Sequence, residues 1–137
     1  MPRETVFLIR CAFAWLLASC GGLVLMALDP QYGVALRPVV LHGLTIGWLC
    51  QFIFGVAHWL FPKHPRVPPR GHVRRVWWVG ALWNAAMVLR AMAEPLVVLG
   101  RGSAPVRGLL VLSGVLLVAA SVGMVGHLWP RTRSVMA

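Results

Sequence analysis

Seven polar residues interrupt long apolar stretches of this sequence: His42, Gln51, His58, Asn84, Arg90, Glu94 and His127. Two kinds of chemistry are open to such a set. An imidazole nitrogen can ligate iron or another metal, and a Glu four residues after an Arg can neutralise it on one helix face. Much else is closed. The chain has no glycine-rich phosphate loop, no Ser or Cys nucleophile paired with a base, and only three acidic residues, Glu4, Asp29 and Glu94. Hydrolysis and phosphoryl transfer are thereby excluded. Redox chemistry or ligand binding at a histidine-held cofactor is not.

The elements that must position these residues are apolar throughout. Of the 137 residues 59% are hydrophobic and 12% charged, with a mean hydropathy of +0.78. A water-soluble domain of this size has too much surface for its volume to hide that composition. Four runs carry it, residues 6–28, 38–61, 76–99 and 106–129, each 23 or 24 residues long. About 20 residues of helix cross a bilayer's hydrocarbon core, so each run reads as one transmembrane helix. Strands would be shorter and would alternate polar with apolar, and these runs do not. The expected fold is all-α, a four-helix antiparallel transmembrane bundle forming a single integral membrane domain over residues 1–137.

Charge sets the expected orientation. The net charge of +10 comes from thirteen Lys and Arg residues that sit mostly between the runs. Arg3, Arg10, Lys63, Arg66, Arg70, Arg74, Arg75, Arg131 and Arg133 fall on one side, and Arg37, Arg101 and Arg107 on the other. Basic residues are retained in the cytoplasm, so both termini and the middle loop are expected there, in a multi-pass protein of the cell's inner (plasma) membrane. The positive charge then faces anionic lipid rather than nucleic acid. Trp59, Trp77, Trp78 and Trp129 fall at the same ends of their runs, where an indole has its ring shielded and its N–H wet.

The loops are legible too. Asp29-Pro30-Gln31-Tyr32-Gly33 is turn chemistry, with Pro38 expected in the first turn of the second helix. Residues 62–72 hold four prolines and two histidines, His64 and His72, in an extended basic connector. Residues 100–105 form a tight turn with Ser103 as N-cap. Leu17-Ala18-Ser19-Cys20 matches a lipoprotein cleavage box, yet the apolar run continues to Leu28, as a helix does and a signal peptide does not. Cys11, Cys20 and Cys50 are read as small apolar residues inside spans.

On the second run Gly43, Gly47, Gln51 and Gly55 recur every four residues, followed by His58 on the same face. Small residues at this spacing let helix backbones approach closely in lipid, so this face is expected to pack against protein. His58-Trp59-Leu60-Phe61-Pro62 and His127-Leu128-Trp129-Pro130 end their spans alike, which suggests a weak two-helix repeat.

The segments His42-Gly43-Leu44-Thr45-Ile46-Gly47 and Phe54-Gly55-Val56-Ala57-His58-Trp59-Leu60-Phe61-Pro62 resemble the second helix of the catalytic subunit of heme-copper oxidases and nitric oxide reductases. Arg90 and Glu94-Pro95 add to the likeness, which covers some 25 residues. It implies that His42 ligates a low-spin heme; Arg90, beside its intrahelical pairing with Glu94, is the residue placed to contact the heme propionates. It does not imply oxygen or nitric oxide reduction, because the later helices carrying the remaining ligands have no counterpart here. The chain is therefore not expected to be an enzyme on its own.

The expected function is a heme-b-binding electron-transfer or gas-responsive accessory to a respiratory oxidase or nitric oxide reductase, as a homodimer or docked on the larger complex. The alternative is a cofactor-free structural or assembly subunit of such a complex, and a small transporter built on Arg90 and Glu94 is a third reading. His58 and His127 share a depth and form a second candidate metal or heme clamp. His42 lies 16 residues from His58, about 24 Å along one helix, so one heme cannot use both. Within one chain the sixth position is then vacant, or filled by water or a methionine such as Met26 or Met92, and a second copy is the other source, lending its own His42.

Overall fold

The computed structural model describes residues 1–62 and 71–133. The described residues are 90% helical, with no strand among them. Helix α1 spans Arg3–Leu28. Helix α2 spans Pro30–His42, a π-helical stretch Gly43–Cys50 continues it, and α3 spans Gln51–Leu60. Helix α4 spans Val73–Val98 and α5 spans Ala104–Arg133. By length and composition α1, the continuous run Pro30–Leu60, α4 and α5 can each cross a membrane. Large apolar side chains such as Leu17, Leu28, Val111 and Val122 stand on the outside, which lipid tolerates and water would not.

The second span begins eight residues earlier than the sequence suggested. Asp29 does the work expected of a five-residue turn. Its backbone N–H closes α1 on the Leu25 carbonyl at 3.2 Å, and its carboxylate accepts the Gln31 N–H at 2.8 Å. Pro30 then occupies the first helical position, where a missing N–H costs nothing. Pro38 lies inside α2 rather than at its start, where it cannot donate to the Val34 carbonyl.

The π-helical stretch explains why the glycine stripe stays straight. In an α-helix a four-residue step overshoots one turn by about 40°, so a stripe of such steps spirals off its face. The wider π turn absorbs the overshoot. Gly43, Gly47, Gln51, Gly55 and His58 are all buried as a result. The face packs against protein, as expected, and its partner is α1, met in a regular descending register. A Cβ on Gly55 would stand 3.3 Å from the Leu8 side chain, one on Gly47 would stand 2.7 Å from Trp15 Cγ, and one on Gly43 would overlap Ser19.

Helices α4 and α5 form the most extensive pair, and the buried cluster of Leu8, Val76, Val79, Trp83, Met87, Ala120, Met124 and Leu128 ties them to α1. Between them, Gly100 takes φ +75° and closes α4 in a Schellman motif. Its N–H bonds the Val97 carbonyl at 3.1 Å, and the Arg101 N–H reaches Leu96 at 2.8 Å. Ser103 immediately precedes the first residue of α5, as anticipated. The segment Leu17–Cys20 lies within the unbroken α1, and all three cysteines are free thiols. His64 and the prolines at 65, 68 and 69 lie outside the described residues.

Candidate functional site

The polar side chains gather into two clusters. The first joins α2, α4 and α5. His42, the last residue before the π-helical stretch, places Nδ1 2.8 Å from Glu94 Oε1. That is ion-pair distance, although the angles fall short of a hydrogen bond. Arg90, one turn before Glu94, donates from Nη1 to the same oxygen at 3.0 Å and from Nε to Ser113 Oγ on α5 at 3.2 Å. The intrahelical Arg90–Glu94 pair expected from the spacing is present. Glu94 and Ser113 are buried, and Glu94 Oε2 has no hydrogen-bond partner. The His42 side chain is 33% exposed, so the ring has one side in the protein and one on its surface.

The second cluster joins α1, α3 and α5 and is closed. His58, fully buried, has Nε2 3.2 Å from Glu4 Oε1. Its Nδ1 is 3.1 Å from His127 Nε2 and 3.4 Å from Arg131 Nη1. A guanidinium can only donate, so His58 Nδ1 is the acceptor. The proton then sits on Nε2, facing the Glu4 carboxylate. Arg131 also donates to the Pro62 carbonyl at 3.0 Å and to that of Phe61. These two carbonyls lie just past the end of α3, so Arg131 caps them from the neighbouring helix. His58 and His127 meet at one level as expected. A metal between them would have to displace these partners, since two bonds of about 2 Å do not fit between nitrogens already at hydrogen-bond distance.

Smaller polar contacts tie the helices together elsewhere. Trp15 Nε1 donates to Asn84 Oδ1 at 3.0 Å, and Asn84 in turn donates to the Gly80 carbonyl at 2.8 Å. Trp83 Nε1 donates to the Ile46 carbonyl of the π-helical stretch at 3.2 Å. Gln51, almost wholly buried, has neither amide atom hydrogen-bonded.

Two members of the closed cluster escape a reading of the sequence alone. Glu4 stands at the start of α1, outside every apolar run. Arg131 counts there only as a topology charge, although it follows His127 by four residues and so shares its face. Scarcity is the available signal. The chain has only three acids, and each is engaged in one place. Asp29 caps α2, Glu94 meets His42 and Arg90, and Glu4 meets His58.

Among the described residues no three of His, Cys, Asp and Glu converge as a cage for a bare ion. A metal carried by a macrocycle needs only one or two protein ligands, and His42 suits that role. A carboxylate at Nδ1 favours a proton there and leaves the Nε2 lone pair for a metal, the pairing that orients many metal-bound histidines. Arg90 Nη2, beside Gly114, is the donor left over for a carboxylate such as a propionate. Met92, 64% exposed, stands two residues from buried Glu94 and so points from another face of α4, which sets it apart from His42. No family model, curated protein or solved structure compared with the chain matches it.

Proposed function

We propose that this is a multi-pass plasma-membrane protein that binds heme b through His42 and serves a respiratory oxidase or nitric oxide reductase as an electron-transfer or gas-responsive accessory. The observation that carries the reading is the His42 ring, 33% exposed and set against Glu94 at 2.8 Å. When bound, the heme supplies one-electron exchange and an iron able to take a diatomic gas. The chain's own residues do the rest. His42 Nε2 would hold the iron, Glu94 would fix the ring, and Arg90, tied to Ser113, would hold Glu94 in place. The exposed side of the ring leaves room for a second copy or a larger respiratory complex to complete the site.

The same proposal has the four spans antiparallel with both termini in the cytoplasm. The first turn of α1 meets the ends of α3 and α5 at Glu4, His58 and His127, while His42 meets the last turns of α4. The nine-to-three division of basic residues supports the direction.

A second reading is a cofactor-free structural or assembly subunit. It is favoured by the closed Glu4–His58–His127–Arg131 cluster, which is satisfied without any ligand. An absorption spectrum of protein purified from heme-replete cells separates the two. A Soret band with sharp reduced α and β bands supports heme binding, and colourless protein leaves the structural subunit.

A further inference from the structure

Neither histidine cluster uses the outer face of α1, where Arg3 and Arg10 project. Seven residues separate them, two helical turns, so both lie on one face about 10.5 Å apart in height. Both are exposed, and neither makes an ion pair among the described residues. No acid is left over to neutralise them, since Glu4, Asp29 and Glu94 are each engaged elsewhere. The two arginines border a cavity of about 340 Å³ whose other walls are Met1, Val6, Phe7 and Trp77. Phe7 and Trp77 stack across α1 and α4 at 4.7 Å with their planes 32° apart, forming a rigid apolar floor.

Each part favours one kind of ligand. An arginine two turns into a lipid-facing helix is costly unless its guanidinium reaches an anion at the headgroup level. Guanidinium binds phosphate oxygens through parallel N–H donors. An indole beside it belongs at the same depth, with its ring against the first acyl carbons. We propose that this cavity binds an anionic phospholipid, with the headgroup phosphate held by Arg3 and Arg10 and the upper acyl segment against Phe7 and Trp77. The site rests on the membrane reading of the chain and is independent of heme.

The test uses detergent-purified full-length protein titrated with phosphatidylglycerol, with phosphatidylcholine and with inorganic phosphate, read by native mass spectrometry and by the thermal midpoint. Phosphatidylglycerol should bind and raise the midpoint, phosphatidylcholine should do so much less, and inorganic phosphate should do neither. Arg3→Gln and Arg10→Gln should each weaken phosphatidylglycerol about five-fold, as expected for the loss of one charge near a membrane surface. Arg107→Gln, at the other end of the molecule, should not. Because lipid removal could itself destabilise a variant, Arg10→Lys provides a second measure: it keeps the charge and should lose less than Arg10→Gln. Unchanged phosphatidylglycerol binding in the Arg3→Gln/Arg10→Gln double variant would overturn the site. Equal binding of phosphatidylcholine, or full competition by inorganic phosphate, would overturn the assignment to an anionic lipid.

Discussion

His42 on α2 and Glu94 on α4 approach to 2.8 Å, and the carboxylate oxygen they share also takes the Arg90 guanidinium at 3.0 Å. One oxygen thus serves a histidine from a neighbouring helix and an arginine from its own. The arrangement orients the imidazole while keeping the buried carboxylate paired, and a buried charge without such a partner would be costly.

Replacing Glu94 by Gln keeps the size and removes the charge. Heme affinity should fall about 10- to 100-fold, the usual range for losing an outer partner of a metal-bound histidine. A heme titration followed at the Soret band measures it. Affinity equal to the parent's would mean that Glu94 neutralises Arg90 and nothing more.

Gly47 packs directly on an indole. A Cβ there would meet the root of the Trp15 side chain at 2.7–3.0 Å, where no free tip can swing aside. Gly47→Leu should cost about 1–3 kcal/mol or disrupt the fold outright. Gly126→Ala, with nothing within 4 Å, should be neutral or stabilising by about 0.5–1 kcal/mol. Thermal melts in one detergent compare them, and equal behaviour of the two variants would contradict the packing of α1 on the second span.

The closed cluster should behave as a unit. His58→Ala leaves Glu4 and Arg131 buried beside a gap, and removing one member of a buried ionic set costs about 3–5 kcal/mol. Glu4→Gln combined with the His58 change should then cost less than the sum of the two alone, by about 0.5–3 kcal/mol. Additive effects in a double-mutant cycle would mean that the two residues do not interact.

What the sequence disclosed followed physical scale. Four apolar runs of membrane-spanning length were unmistakable, because hydrocarbon thickness leaves few ways to use them. The Gly43–Gly47–Gly55 face announced close packing, but not that a π-helical stretch would keep it aligned or that α1 would fill it. The start of the second span was misplaced because Pro38 reads as a helix opener, while the stronger signal, Asp29 capping ahead of Pro30, reads equally as a turn. His58 and His127 were visible as a pair at one depth. Glu4 and Arg131 were not, because both lie at span ends, where charges are ordinarily read for topology rather than for burial.

Topology itself is open to a direct check. A reporter fused to the C-terminus should read cytoplasmic, and one inserted at Gly102, in the turn between α4 and α5, should read outside. The opposite pattern would invert the molecule and move His42 to the cytoplasmic half.

Heme content per chain in His42→Ala, set beside His127→Ala and the parent, tests the central proposal most directly. His42→Ala should lose its heme and with it the carbon monoxide difference spectrum, while His127→Ala should keep both in whatever fraction folds. Full heme retention in His42→Ala would contradict the assignment, and loss confined to His127→Ala would move the heme to the closed cluster.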